Sequence, residues 1–279
     1  KPGRDEKILA SWNGLMLATL AEAACALDHR EYLAAAVANG SFLLNSMSAN
    51  GFLKHSYKDG KANLDGYLDD YAMVIDGLLI LHQATLRGEW LRQAITLART
   101  MIAQFWDKDA GMFYDTGEKH ENLFIRPQST FDGALPSGAS MATVVLLKIG
   151  WLTDDHEFEH IAAQVLKSVR QLMSQHPLGF GNWLCALDFY LSEPRQIAII
   201  GSVDNPATSE LLRTLCTTWL PNKVVAAHDP GDPSSVSELK LLENRGMINN
   251  QPTVYVCHHY SCQKPVTDPV SLAAQLQGD

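Results

Sequence analysis

Two adjacent carboxylates stand at the start of an apolar stretch, in GYLDDYAMVIDG at residues 66–77. Asp is among the preferred residues at a helix N-terminus, because its carboxylate accepts a hydrogen bond from a backbone N–H of the first turn. One helix end needs only one such cap. The other carboxylate is then solvated, paired with a cation such as Arg126, or directed into a cavity. We expect Asp69 to cap the helix and Asp70 to face the cavity.

These residue types allow two kinds of acid–base chemistry. Glycoside hydrolysis uses two carboxyl groups that flank the scissile bond, one of them kept protonated. The candidate pair is Asp70 with Asp132, which lies in TFDGALPSG. Epimerisation requires groups that remove and return a carbon-bound proton, most often histidine. His55 is the candidate for that role, whereas His82 lies within an apolar helix and is interpreted as a core histidine. A third alternative is also open: an unknown activity, or one that has been lost.

The elements that carry these residues alternate between two kinds of helix. Four segments are apolar nearly all round, as in helices buried on every side, and three have a single apolar stripe, as in helices with one solvated face. Along the chain they predict inner and outer helices in turn, at residues 8–27, 31–47, 68–86, 89–105, 136–151, 156–175 and 180–191. Short links join each inner helix to its outer partner. The long segments 49–67 and 107–135 lead to the next inner helix, and each begins with a predicted hairpin.

Repeated hairpins with buried inner helices predict an (α/α) toroid, because a single hairpin cannot bury its own inner helix. The predicted fold is mainly α, glycosidase-like with six hairpins, and incomplete in this chain, with the toroid portion at residues 1–193. Residues 194–279 predict a small α/β element: RQIAIIG, NPATSELLRTLCTTWL and NKVVAAHD form a βαβ unit, and PTVYVC forms a third strand after a Pro- and Gly-rich loop. IIGSVDNP lacks the G-x-G-x-x-G fingerprint of dinucleotide-binding folds.

The N-termini of the inner helices and the long loops should gather at one face of the toroid. Aromatic and carboxylate side chains around a concave centre are typical of sugar sites, and helix N-termini favour hydroxyl-rich or anionic ligands. Trp12 and Trp183 either pack in the core or form a stacking platform for sugar rings, and Ser137 is expected to cap a helix. The predicted ligand-binding residues are Trp12, Asn13, Tyr57, Asp69, Tyr71, Arg126, Ser137, Asn182 and Trp183, beside the catalytic candidates Asp70, Asp132 and His55.

The chain has five cysteines, an odd number scattered through a chain of ordinary size. This pattern differs from a disulfide-stapled secreted scaffold and predicts a reducing, cytoplasmic location. Cys257 and Cys262 form a C-x4-C pair around two histidines. The pair is consistent with separate buried thiols, which we favour, with a disulfide or redox pair, or with zinc. Adjacent histidines on an extended strand point to opposite faces and do not chelate one ion easily, so no metal or cofactor is predicted.

Composition excludes other classes of protein. A net charge of −9 and a pI near 5.5 argue against nucleic-acid binding, which requires clustered Lys and Arg, and fit a small neutral or cationic ligand. The most apolar segments are interrupted by Asn13, Glu22 and Lys148, so no membrane span is predicted. The opening KPGRDEK has neither an initiator Met nor an apolar signal core, and indicates an internal start.

The motifs WNGLM, LDDYA, LPSGAS and C-x4-C-x2-PVTD occur in this order. In them the chain resembles the C-terminal portion of the thioredoxin-domain-containing spermatogenesis-associated proteins and their YyaL-like bacterial relatives. The resemblance implies an (α/α)6 barrel akin to glycosidases and N-acylglucosamine 2-epimerases. It also implies an upstream thioredoxin-like domain and further hairpins before Lys1. A pocket that acts on a glycoside or sugar is the expected function. The alternative is a non-catalytic sugar-binding or protein-docking module that serves the redox domain.

Overall fold

The computed structural model describes residues 3–118, 120, 124–192, 194–232, 239–258 and 261–277. Its helices are α1 (Ala10–Leu27), α2 (Arg30–Ser46), α3 (Leu68–Thr85), α4 (Gly88–Phe105), α5 (Gly138–Thr153), α6 (His156–Gln175), α7 (Gly181–Leu191), α8 (Pro206–Thr217) and α9 (Pro269–Gln277). Its strands are β1 (Ile8–Leu9), β2 (Ser48–Ala49), β3 (Phe52–Lys58), β4 (Lys61–Asp65), β5 (Trp106–Asp107), β6 (Met112–Phe113), β7 (Arg195–Ile200), β8 (Lys223–His228), β9 (Thr253–His258) and β10 (Ser261–Cys262).

Helices α1 to α7 form the predicted array of helical hairpins. The inner helices α1, α3, α5 and α7 pack side by side in that order, and each of α1, α3 and α5 packs against the outer helix that follows it. Two-residue links join the members of each hairpin, as at Leu86–Arg87. The two long segments contain the predicted hairpins, β3 paired with β4 and β5 paired with β6. The mainly α hairpin fold is confirmed.

The inner helices differ in how completely they are buried. Helices α3 and α5 are buried almost all round, as expected. Helices α1 and α7 bury one face only, and Leu27 and Leu191 are exposed. The expectation that α1 and α7 are buried on all sides is therefore wrong. The reason is their position, because each stands at one end of the described array and has an inner-helix neighbour on a single side.

Helices α1 and α3 approach each other through two glycines. A Cβ added at Gly14 would lie 2.6 Å from the backbone of Met73 and Val74, and one added at Gly77 would lie 2.8 Å from the Gly14 carbonyl oxygen. Real Cβ atoms do not come so close to backbone, so this crossing requires glycine on both helices. The close contact fixes the N-terminal ends of α1 and α3 next to each other.

The C-terminal element is the predicted βαβ unit with added strands. β7 and β8 are parallel and connected through α8, and β9 pairs antiparallel with β7 on its other side. Side chains alternate along β7, so that Ala198 and Ile200 join the core of the helical body while Ile197 and Ile199 pack in a second core with α8 and α9. The sheet thus lies against the body on one face. Helix α9 was not predicted, and residues 233–238 of the predicted Pro- and Gly-rich loop lie outside the described residues.

Four cysteines form two disulfides, Cys25 with Cys216 and Cys257 with Cys262. The favoured prediction of separate thiols is wrong for Cys257 and Cys262, because β9 and β10 pair these two residues directly opposite each other. Cys25 and Cys216 connect α1 to α8, a pairing that sequence spacing does not reveal. In the described part of the chain, none of the helices is long and apolar enough to span a bilayer.

A candidate acid–base site at the inner-helix N-termini

Asp70 connects three elements at the start of α3. Its Oδ1 accepts a hydrogen bond from the Ser11 backbone N–H on α1 at 2.9 Å. Its Oδ2 accepts bonds from the Tyr67 N–H at 2.9 Å and from Nδ1 of His55 on β3 at 2.8 Å. The side chain is completely buried. The expectation that Asp70 faces a cavity is therefore wrong: this carboxylate closes the first turn of α3 and ties α1 and β3 to it.

Asp69 is the carboxylate left without the capping role. It is half-buried at the same helix end. Burial raises the pKa of Asp69 from 3.8 to about 6, and the negative charge of neighbouring Asp70 adds to the rise. A carboxyl group with a pKa near 6 exchanges protons readily at neutral pH. The capping role expected of Asp69 thus belongs to Asp70.

His55 completes this group. Its hydrogen bond to Asp70 raises the pKa of His55 above the usual 6.5, against the opposing effect of burial. The ring stands edge-on to Tyr67, with 5.0 Å between ring centroids, and 24% of the side chain is exposed. Asp70 holds the Nδ1 side of the ring, which leaves Nε2 as the nitrogen available to a ligand. This arrangement fixes the orientation of a histidine that can act as an acid or a base.

Asp132 performs at α5 and α7 the task that Asp70 performs at α1 and α3. Its Oδ1 accepts bonds from the Ser137 N–H at 2.9 Å and the Ser140 hydroxyl at 2.7 Å. Its Oδ2 accepts a bond from the Asn182 N–H at 2.8 Å, at the first turn of α7. Ser137 caps α5 by accepting a bond from the Ser140 N–H, as predicted. Since both oxygens of Asp132 are bonded to helix termini, the expected catalytic pair of Asp70 and Asp132 is wrong.

The N-termini of the inner helices lie together at one end of the array. Asp70 connects α1 to α3, and Asp132 connects α5 to α7. Between these pairs, a Cβ added at Gly138 of α5 would lie 2.9 Å from the Asp69 backbone nitrogen. The Asn182 side chain adds a bond from its Nδ2 to the Ser140 hydroxyl at 3.0 Å. The prediction that these ends gather at one face is confirmed.

The two tryptophans at this end have opposite environments. Trp12, which follows Ser11 in the first turn of α1, is 62% exposed, so plain core packing does not describe it. Trp183 is fully buried, and its Nε1–H donates to the Thr130 carbonyl at 2.7 Å. Asn13 is half-buried and donates to the Leu9 carbonyl at 2.8 Å. Of the two predicted platforms, only Trp12 offers a surface to a ligand.

Two further residues predicted to bind a ligand, Tyr71 and Tyr57, make packing contacts. Tyr71 is buried, and its hydroxyl accepts a bond from the Leu53 N–H at 2.9 Å. Tyr57 packs edge-on against Phe42 of α2, with 5.1 Å between ring centroids. Tyr71 also lines a cavity of about 340 Å³ beside Leu53 and His120, so a ligand-binding role for the two tyrosines stays a prediction.

Arg126 lies away from the aspartates. Its guanidinium stacks over Tyr114, 4.0 Å from the ring centroid, and donates to the Thr116 carbonyl. The alternative in which Arg126 pairs with the second aspartate is therefore not seen, and the predicted ligand-binding role of Arg126 stays a prediction. His82 is a core histidine, as predicted: its Nδ1 lies 2.9 Å from the Arg87 carbonyl oxygen, and burial lowers the pKa of His82 to about 4.

Sequence reasoning missed Tyr67, whose ring lies between those of His55 and His120, with centroid distances of 5.0 and 4.8 Å. Its place directly before LDDYA, as the residue that precedes the helix, was the available signal. Within the described ranges, no three His, Cys, Asp or Glu side chains are grouped as metal ligands would be. His259, the second histidine of the C-x4-C segment, lies outside those ranges.

The comparisons with known proteins agree with the motifs. The chain is 30% identical to spermatogenesis-associated protein 20 of Homo sapiens over 289 aligned residues, which cover 99% of this chain and 37% of that protein. The mouse protein of the same name is 31% identical, with 98% of this chain and 36% of that protein covered. The resemblance to the spermatogenesis-associated proteins is confirmed, and the chain spans little more than a third of their length. No family model matches the chain.

A solved structure with a related arrangement is unsaturated glucuronyl hydrolase from Bacillus sp. GL1, described as responsible for the degradation of glycosaminoglycan. It matches 61% of this chain and 49% of its own, with a TM-score of 0.48 and 17% sequence identity.

Proposed function

We propose that this chain, a relative of the spermatogenesis-associated proteins over nearly all of its length, carries an acid–base site for a sugar at the N-termini of its inner helices. Asp69 and His55 exchange protons with the ligand, and Trp12 supplies the surface on which a sugar ring stacks. The observation that supports the proposal best is the pKa of Asp69, raised to about 6 beside a histidine whose pKa is also raised.

The two pKa shifts support one distribution of the proton-transfer roles. At neutral pH Asp69, with a pKa of about 6, is mostly ionised and accepts a proton. His55, with a pKa raised above 6.5, holds a proton for a larger part of the time and donates it. Each group lowers the cost of charging the other, since one is an anion and the other a cation. A reaction in the reverse direction exchanges the roles.

Proton exchange at a carbon next to a carbonyl fits these groups better than hydrolysis. The two-carboxylate mechanism requires a second free carboxylate across the sugar from the first. Asp70 and Asp132 do not fill this role, because their oxygens are bonded to helix N-termini. A 2-epimerase-like reaction requires one acid and one base. The proposed substrate is therefore a reducing sugar or N-acyl amino sugar in its open-chain form.

The proposed ligand is neutral, in keeping with the net charge of −9, which argues against an anionic ligand. The upstream thioredoxin-like domain and the remaining hairpins implied by the resemblance belong to the same proposal. They would complete the ring around a site that this chain supplies in part.

Exchange of the hydrogen on carbon 2 tests the proposal. The intact natural protein is incubated in D2O with N-acetylglucosamine and separately with N-acetylmannosamine, and proton NMR follows loss of the C2 hydrogen and formation of the other sugar. We expect exchange with the natural protein. Asp69→Asn and His55→Gln should each slow it about 100-fold or more, since a positioned acid or base contributes ~10² to 10⁴.

The control is Asp109→Asn, an exposed loop aspartate, which should leave the rate unchanged. Chromogenic aryl glycosides form a second arm. Release of the aryl group without C2 exchange would replace the epimerase-like reaction by hydrolysis. Quenching of tryptophan fluorescence by sugar that is lost in Trp12→Phe, without either reaction, would show the non-catalytic binding module instead.

A further inference from the structure

The disulfide between Cys257 and Cys262 lies at the edge of the C-terminal sheet. The two cysteines face each other across β9 and β10, which is the last strand pair of that sheet. Cys257 is buried, whereas Cys262 is exposed. One sulfur of this bond is therefore on a residue that an external thiol can approach, and the other is on a residue held in the core.

A guanidinium lies against both sulfur atoms. Nη2 of Arg245 is 3.1 Å from Sγ of Cys257 and 3.1 Å from Sγ of Cys262. Its other contacts among the described residues are the Leu241 carbonyl and the Tyr255 ring, neither of which neutralises its charge. A neutral disulfide gains little from a cation, but a thiolate gains a great deal, because a positive neighbour lowers the pKa of a thiol.

The disulfide also borders a cavity of about 320 Å³ between the sheet and the C-terminal end of α5. The two carboxylates that line this cavity, Asp154 and Glu159, have partners of their own. Asp154 pairs with Lys240, and Glu159 lies 3.8 Å from Nδ1 of His156. The positive charge of Arg245 thus remains available to the two sulfurs. A cavity beside an accessible disulfide gives an incoming thiol group room to approach.

We propose that Cys257 and Cys262 form a redox-active disulfide that accepts electrons from a dithiol reductant, with Arg245 stabilising the thiolate that leaves. This site is separate from the proposed sugar site, and it does not depend on that function.

The exchange has two steps. A thiolate of the reductant attacks Sγ of Cys262, a mixed disulfide forms, the bond between Cys257 and Cys262 breaks, and Cys257 leaves as a thiolate beside Arg245. The second thiol of the reductant loses its proton and attacks the reductant's own sulfur in the mixed disulfide. This step forms the reductant's disulfide and releases Cys262 as a thiolate. After protonation the chain carries two thiols, and the reductant is oxidised to a disulfide.

The disulfide between Cys25 and Cys216 is an internal control, because no described guanidinium contacts its sulfurs. The intact natural protein is treated with limiting dithiothreitol in one arm and with a reduced C-x-x-C protein in another. Alkylation followed by mass spectrometry then measures the free thiols at each cysteine. We expect Cys257 and Cys262 to be reduced several-fold faster than Cys25 and Cys216 in at least one arm. Equal rates, or faster reduction of Cys25 and Cys216, would overturn the proposal.

Arg245→Met and Arg245→Lys separate the charge from packing. The methionine variant should be reduced several-fold more slowly at Cys257 and Cys262, and its reduced thiols should be alkylated with a higher apparent pKa. The lysine variant should recover part of both effects, since it restores a cation. If both variants match the natural protein in rate and thiol pKa, Arg245 has no role in the exchange. If the methionine variant fails to fold, Arg245→Gln, which also removes the charge but keeps a polar side chain, takes its place in the same comparison with Arg245→Lys.

Discussion

Two junctions in the helical array use the same device and differ in what surrounds it. At the first, Asp70 connects the N-termini of α1 and α3, and at the second, Asp132 connects those of α5 and α7. In each case one carboxylate accepts backbone N–H groups that a helix end otherwise leaves unpaired. Both aspartates came from the sequence as catalytic candidates, and both hold helices together.

The two junctions differ in the side chains that surround Asp70 and Asp132. Asp70 is fully buried and also holds His55, and it has Asp69 beside it. Asp132 is half-buried, and its remaining partners are the hydroxyls of Ser137 and Ser140, which do not titrate near neutral pH. Of the two junctions, as the described residues form them, only the first has further titratable side chains, His55 and Asp69, beside the aspartate that connects the helices. At the first junction, a buried carboxylate that holds two helix ends thus lies beside two titratable side chains, which the proposed function uses as acid and base.

Replacement of Asp70 should give the largest loss of stability. Asp70→Ala leaves the buried N–H groups of Ser11 and Tyr67 unpaired and releases His55, so we expect a loss of about 3 to 5 kcal/mol in the free energy of unfolding. Urea denaturation measures it, with exposed Asp109→Ala as the control. A loss below about 1 kcal/mol would show that the bonds seen at this carboxylate do not stabilise the junction.

Replacement of Asp132 should cost less, although it removes bonds to two helix ends. Because Asp132 is half-buried, water can take over part of its hydrogen bonds. We expect Asp132→Ala to lower the free energy of unfolding by about 2 kcal/mol. The same urea titration compares it with Asp70→Ala. A loss equal to or greater than that of Asp70→Ala would contradict the ranking of the two junctions by burial.

Much of the fold could be predicted, because the inner and outer helices differ in their hydrophobic pattern. The predicted segment 156–175 coincides with α6, and 89–105 lies within one residue of α4. The parallel pairing of β7 and β8 followed from two apolar strands with a helix between them. The pattern could not show that α1 and α7 expose one face, because burial depends on neighbours that the periodicity of a single helix does not contain.

The site was harder to predict, for reasons of helix geometry. Asp69 and Asp70 differ by about 100° around the axis of α3, so which of them turns inward depends on where α1 lies. That position follows from the glycine contact between Gly14 and Gly77, two residues remote in sequence. Both aspartates have equal capping propensity, and propensity alone could not separate them. The disulfides were missed for a similar reason, since connectivity is a property of the folded chain.

Removal of the charge of Asp69 should stabilise the protein. The pKa of Asp69 is raised from 3.8 to about 6, so the unfolded chain releases this proton more readily than the folded one. Stability is therefore lost as pH rises from about 4 to 6, and the loss remains at neutral pH. We expect Asp69→Asn to gain about 1 to 2 kcal/mol at pH 7, after allowance for partial exposure, and to gain nothing below pH 4.

The matched variant Asp132→Asn provides the contrast for Asp69→Asn, because it weakens a cap at the second junction. It should lower stability at pH 7. Urea titrations of both variants from pH 4 to pH 8 measure the two profiles. If Asp69→Asn loses stability at pH 7 as Asp132→Asn does, Asp69 is a second structural carboxylate and the proton-exchange proposal loses its main support.

The smallest effect on the free energy of unfolding should come from replacement of His55, which belongs to the first junction. The pKa of His55 is raised in the folded protein by Asp70, so protonated His55 adds stability that is fully present below pH 6.5. This contribution is lost as pH rises through the folded-state pKa. It should stay below about 1 kcal/mol, because the ring is partly exposed to solvent. The measurement is the difference in unfolding free energy between natural protein and His55→Gln, taken at pH 6 and at pH 9. A difference that does not shrink with rising pH would mean that His55 binds Asp70 as a neutral ring, and the acid in the proposed reaction would then have to be another group.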